Sequence, residues 1–329
     1  MKKHVCNISI LLIFSVILNI KTYAQEIPIY FQSQYLFAPY LINPAIAGSK
    51  DFYAFTLSSR QNVEKIANAP RTQALTFQAR IPNYRRLRGK IVKQGSEFTN
   101  VGLGAYIYHD TNGPLRKTGL QATYAYHVPL SRTSISHLSF GLSANIMLYS
   151  LFYGDLNTLR DPLIDEGTQS TFIPDANFGI YYYGRSLYAG ISSNQLFENS
   201  IKWESDLYVN TPIKRQYFLL AGYKFYIKYS YILEPSIMVR SENPSLHDLF
   251  EKLDFNLKFH FRTAALGVSY RMNNGLVCMG QYQFQNWVFG LAYEYPFSSI
   301  WNYNGGMAEV MVGLNLGKGK NRFGDSRYW

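Results

Sequence analysis

"KLDFNLKFHFR", residues 252–262, alternates without a miss from Leu253 to Arg262. Leu253, Phe255, Leu257, Phe259 and Phe261 share one side; Asp254, Asn256, Lys258, His260 and Arg262 share the other. Successive side chains of a strand point to opposite faces, so this is a strand with one apolar face and one polar face. The fold class turns on what the apolar face lies against, a protein core or lipid.

Working outward, strand-like segments fall at 52–60, 71–81, 99–110, 115–129, 134–149, 172–183, 185–193, 215–227, 229–240, 252–262, 264–271, 275–284, 286–296 and 306–316, fourteen in all. Strands of soluble proteins more often run about five or six residues, whereas membrane-spanning strands need about nine to eleven, and most of these are that long. In "NWVFGLAYEYPF" (286–297), Trp287, Phe289, Leu291, Tyr293 and Tyr295 share a face, and Val288, Gly290, Ala292 and Glu294 share the other. "TGLQATYAYHV" (118–128) sorts the same way, and its second face is small or polar, as a barrel lumen requires. Tyrosines gather near strand ends, where the two membrane interfaces favour them.

Taken alternately, one set of connections is mostly short (around 130–133, Gly184, Lys228, Thr263, Gln285) and the other holds the long stretches 150–171, 194–214, 241–251 and 297–305. An outer-membrane barrel has short periplasmic turns and longer outer loops, and an even strand count puts both termini on the periplasmic side. Residues 82–98 are the exception, a long connection in the short set. The expected fold is all-β, a transmembrane antiparallel up-and-down barrel of about fourteen strands over 52–316. A soluble β-sandwich is the alternative, less suited to strands of this length.

Residues 1–24 read as an export signal: Lys2 and Lys3, the apolar run "ISILLIFSVILNI" (8–20) and the small-residue site "TYA" (22–24). The other reading is an anchoring helix, for which the run is short. Cleavage would remove Lys2, Lys3 and Lys21 from a formal net charge of +11 and leave Cys278 as the sole cysteine. No internal disulfide is then available, and Cys278 reads as a small apolar strand residue. Aromatic residues make up 16% and charged residues 16%, far from a disordered composition.

No metal or catalytic motif occurs, so no cofactor is expected and enzyme classes recede. "GLSAN" (141–145) lacks the second glycine of a nucleophile elbow; His109 and Asp110 are adjacent in a strand and so face apart. Asp254, Lys258 and Arg262 read either as a lumen network that braces the wall or as a charged pore lining. "YRRLRGKIVK" (84–93) holds Arg85, Arg86, Arg88, Lys90 and Lys93, a solvated loop or else a docking patch for an acidic partner or lipid phosphates. One basic cluster without an aromatic ladder, in an exported chain, speaks against nucleic acid. Residues 25–51 are aromatic and apolar, and need burial as a lumen plug or as a periplasmic segment against a partner. Residues 317–329 form a C-terminal tail.

"FQSQYLFAPYLINPAIAGS" (31–49) resembles the opening of the PorP/SprF family, outer-membrane proteins of the type IX secretion system of Bacteroidota. The resemblance continues through "RQNVEKIANAPRTQALTFQARIP" (60–82), "VGLGAYIYHDTNGPLRKTGLQATYAYHVPL" (101–130), "IPDANFGIYYYGRSLYAGISSNQLF" (173–197) and "GQYQFQNWVFGLAYEYP", nearly the whole mature chain. It implies a non-enzymatic barrel that helps a large secreted, adhesin-like protein to the cell surface, often in gliding motility. The implied partners are the C-terminal domain of that secreted protein, periplasmic and lipoprotein components of the machine, and outer-membrane lipid. Asn43, Pro44, Ala45, Ala47, Gly48, Asp110, Gly113, Pro114, Pro174 and Asp175 match its signature, as structural or interface positions. Physically, Gly113–Pro114 reads as a turn, Pro174 as a strand edge, and Asn43 as extended because a proline follows. The alternative function is a transporter for small or hydrophobic solutes, like the fatty-acid channels that also carry an N-terminal plug.

Overall fold

The computed structural model describes residues 35, 38–50, 52–63, 69–87, 90–130, 136–152, 168–201, 211–227, 231–242, 252–272, 275–297 and 305–317, the side chains of 82–98, 168 and 211 excepted. The expected leader, the tail beyond 317 and Arg88 lie outside these residues. The strands are β1 (Tyr53–Asn62), β2 (Arg71–Leu87), β3 (Lys90–Asn112), β4 (Leu115–Pro129), β5 (His137–Phe152), β6 (Thr168–Tyr183), β7 (Leu187–Asn194), β8 (Ser200–Ile201), β9 (Thr211–Pro212), β10 (Gln216–Tyr223), β11 (Phe225–Ile227), β12 (Tyr231–Ser241), β13 (Leu253–His260), β14 (Ala264–Arg271), β15 (Gly275–Phe284), β16 (Trp287–Pro296) and β17 (Met307–Leu316).

Fourteen of these close into one antiparallel ring. Each pairs with its neighbours in sequence, β10 bridges β7 and β12, and β1 meets β17 from Tyr53↔Leu316 to Asn62↔Met307. β11 continues β10 in the same register, Gly222↔Ser236 and then Phe225↔Leu233. The ladder lapses between them beside Pro235, which has no N–H to give. β8 and β9 form a small separate pair within the expected loop 194–214. Closure removes the sheet edges and satisfies the backbone internally, which a strand must do to cross lipid.

The two faces sort as the alternation requires. On β13, Phe255 and Leu257 are 47% and 49% exposed on the outside, while Asp254, Asn256 and His260 are buried inside. On β16, Trp287, Phe289, Leu291, Tyr293 and Tyr295 are exposed and the alternate positions Val288, Ala292 and Glu294 are buried. A belt of exposed Leu, Phe, Ile and Tyr on this scale suits hydrocarbon, not water. The apolar side of 252–262 is therefore the lipid side. Cys278, on β15, is exposed in the same belt.

Three expectations shift. β5 and β6 stay paired out to Phe152↔Thr168, into the stretch read as loop. Residues 82–98 are not a plain connection: β2 and β3 continue through them, with Tyr84↔Lys93, Arg85↔Val92, Arg86↔Ile91 and Leu87↔Lys90 in register. β13 ends at His260, so Phe261 and Arg262 fall in the following turn.

Candidate functional site: a segment seated inside the barrel

The described part of 38–50 lies against the inner face of the ring. It makes two short 3-10 turns, Pro39–Leu41 and Pro44–Ile46, each with proline at its start, where fixed φ suits the turn and no N–H is missed. Tyr40, Ile42, Ala45 and Ala47 are wholly buried and join inward-facing Ala74, Tyr106, Tyr108, Ala125, Tyr181 and Phe218 in one core.

The seat is a lateral row of small residues across five strands. Gly102 pairs with Ala125, Ala125 with Gly141, Gly141 with Gly179, and Gly179 with Ser192. A Cβ on Gly102 would overlap the Ala47 carbonyl oxygen, one on Gly141 the Ala45 nitrogen, and one on Gly179 the Asn43 side chain. Absence of side chains here lets the segment's backbone approach the wall. Gly48 completes the fit: its φ of +75° suits glycine, and a Cβ there would meet Gly102 Cα at 2.6 Å.

Polar groups fix the segment in place. Asn43 is extended (φ −138°, ψ 111°), as a residue before proline must be, and its Oδ1 accepts from Ala45 N at 2.9 Å. Its Nδ2 donates to Ile180 O and Ile191 O at 3.0 and 3.2 Å. Ser192 Oγ donates to Ile42 O at 2.6 Å, and Ser139 Oγ to Ala45 O at 2.8 Å. Arg80 Nη1 donates to the Tyr183 hydroxyl (3.1 Å), which donates to His127 Nδ1 (3.0 Å), and His127 Nε2 donates to Ala47 O (2.9 Å). A carbonyl can only accept, so His127 carries its proton on Nε2 and every member of the chain is satisfied.

Asp254 enters a buried ionic relay, though not with Lys258 and Arg262. Its Oδ2 lies 3.6 Å from Arg271 Nε and accepts from the Tyr35 hydroxyl at 3.0 Å. Arg271 pairs with Glu294 Oε1 at 3.0 Å, and Glu294 Oε2 with Arg60 at 2.8 Å. Burial pushes the Tyr35 and Tyr40 hydroxyls well above the usual tyrosine range, so both act as neutral donors. Lys258 instead lines a cavity of about 1270 Å³, open mouth included, with Lys224, Glu234 and His260. There His260 Nε2 meets Glu234 Oε2 at 2.9 Å, and Tyr188 donates to Glu234 Oε1 at 2.7 Å. Arg262 is exposed at the rim, apart from both groups.

Asp110 accepts from Thr72 at 2.6 Å, and Gly113, at φ +58°, and Pro114 form the two-residue turn between Asn112 and Leu115. Pro174 lies inside β6, beyond Phe178 where the pairing with β7 stops, so no second ladder needs its N–H. Asp175 Oδ1 accepts from Ala176 N and Phe197 N and so shapes the loop after β7. The signature motif alone flagged Asn43 to Gly48. Gly102, Gly141 and Gly179, and the partners Arg60, Arg271 and Glu294, went unflagged, because only cross-strand register brings them together. The described backbone carries Arg85, Arg86, Lys90 and Lys93 on the β2–β3 hairpin.

A family model, Type IX secretion system membrane protein PorP/SprF, matches residues 24–314. No curated protein matches the chain. Among solved structures, it is similar to a KdgM porin at 8% identity and a TM-score of 0.36, over 80% of this chain and 97% of the porin. It is also similar to a triple mutant of the Rhodopseudomonas blastica porin at 8% identity and a TM-score of 0.31, over 80% of this chain and 98% of that one.

Proposed function

We propose, from the fact that this chain belongs to the PorP/SprF family of type IX secretion system membrane proteins, that it is a non-enzymatic outer-membrane barrel assisting export or surface attachment of a large secreted protein. Its partners are the C-terminal domain of that protein and periplasmic and lipoprotein components of the machine. The observation that carries the reading is the family match over residues 24–314; beside it, the chain's own segment around Asn43 occupies the lumen against Gly102, Gly141 and Gly179. A fourteen-stranded ring so filled has no width for a folded protein, which supports holding over conducting. Both termini face the periplasm in this reading, since Tyr53 and Leu316 pair at the end where the turns at Gly184 and Gln285 are short.

Deletion of the gene, followed by proteomics of surface, periplasm and medium with a solute-uptake assay alongside, tests it. One or a few large proteins should leave the surface while uptake holds. An unchanged surface proteome with impaired uptake would instead leave a transporter, for which the lumen cavity is the entry point.

A further inference from the structure

The β2–β3 hairpin runs on past the pairing of either strand with its other neighbour, and among the described residues both of its outer edges are unpaired. β1 follows β2 only as far as Ala54↔Gln78, and β4 follows β3 only as far as Tyr126↔Val101. Beyond those points β2 and β3 run on together, from Pro82↔Phe98 to Leu87↔Lys90. At about 3.3 Å per residue the arm from Pro82 to Leu87 is roughly 20 Å long. Among the described residues, no strand pairs with either outer edge of it.

Such an edge is a row of N–H and C=O groups ready to pair with another extended chain. Pro82 and two register shifts, between Arg80/Pro82 and Pro82/Tyr84, break the ladder at the root and confine the regular part to the outer portion. The root itself is anchored: Arg80 Nε donates to Thr99 O at 2.9 Å, its Nη1 to Tyr183, and Thr99 Oγ1 to Ile81 O at 2.9 Å.

The charge selects the occupant. From Tyr84 to Lys93 the sequence holds five basic residues and no acidic one, and four of the five (Arg85, Arg86, Lys90, Lys93) sit on the paired backbone. Two copies of the arm placed edge to edge would set like charges against like, which disfavours self-pairing. We infer that the arm is a docking strip for an extended acidic segment of a partner protein, added as a further strand on one outer edge. The inference does not depend on the export reading, because it is tested on the isolated barrel.

The full-length protein, purified in detergent, is titrated with a short labelled peptide of alternating Glu and Val. Parallel titrations use the same peptide N-methylated at alternate amides, and phosphatidylglycerol vesicles. The wild type should bind the first peptide in a salt-sensitive manner. Both the N-methylated peptide and the R85Q/R86Q/K90Q/K93Q variant should show binding weaker by about tenfold or more, the former through lost backbone pairing and the latter through lost charge. A second variant, with 83–97 replaced by Asn-Gly, should lose binding while keeping the heat-dependent gel mobility of a folded barrel. Equal binding of the two peptides, undiminished binding by the Gln variant, or absence of peptide binding would overturn the proposal. Vesicle binding alone that distinguishes wild type from variant would assign the strip to lipid phosphates instead.

Discussion

Gly141 on β5 lies directly opposite Gly179 on β6, and together they face Asn43, Pro44 and Ala45 across a gap too narrow for a side chain. The pairing ties five residues near the N-terminus (Asn43, Pro44, Ala45, Ala47 and Gly48) to two glycines far along the chain. The segment is shaped to its seat.

Gly141→Val should therefore lift the segment from the wall. Overpacking of this kind costs about 1–3 kcal/mol, so the barrel should unfold at a lower temperature and expose 38–50 to added protease. Gly280→Val, where a Cβ meets only Leu266 at 3.7 Å, is the control expected to change little. Equal protease sensitivity in the two variants would refute the seat.

Asn43→Ala removes the cap on Ala45 N and the donor to two wall carbonyls. Each buried group left unpaired should cost about 1–3 kcal/mol. Asn43→Asp keeps the cap but turns an acceptor toward Ile180 O and Ile191 O, so it should rescue little. Thermal unfolding followed by circular dichroism separates the three.

Glu294→Gln strips the shared partner from Arg60 and Arg271, all three buried. Breaking a buried pair on one side costs about 3–5 kcal/mol, and the loss should appear as a lower denaturant midpoint. Lys214→Ala, which breaks a largely exposed pair with Glu242, should leave that midpoint unmoved.

On the outer face, Leu291→Arg should impair insertion by about 2–4 kcal/mol if the residue sits near the bilayer midplane. Folding into phosphatidylcholine vesicles, scored by heat-dependent gel mobility, measures it. Ala292→Ser, one position away on the inner face, should insert normally.

Cys278 offers a probe of the same belt, being exposed on the outside of β15. In vesicles it should resist a water-soluble maleimide and accept a membrane-permeant one; in denaturant both should react. Ready labelling by the water-soluble reagent in folded, lipid-embedded protein would place this face in water.

The alternation in 252–262 and its counterparts was legible because period two is a local property: each residue's face depends only on its neighbours. For that reason the fourteen segments read from the chain correspond to the fourteen strands of the ring. The basic cluster at 84–93 was legible as charge but not as hairpin, since its ladder needs two strands to stay paired beyond the rim. Asp254 was visible as an inward charge, yet its partners Arg271, Glu294 and Arg60 come from β14, β16 and β1. Nothing local separates Arg271 from Arg262, which the turn after β13 carries out to the rim.

The sequence by itself determined the strands, their two faces and the lipid-facing belt, since these follow from alternation and length. Tertiary structure decided what fills the lumen. The register of β3 through β7 aligns Gly102, Ala125, Gly141, Gly179 and Ser192 into a seat, and closure of the ring, with β1 against β17, brings Arg60 beside Glu294. A shift of one residue on any of these strands would turn its side chains to the other face and abolish the contact that it serves.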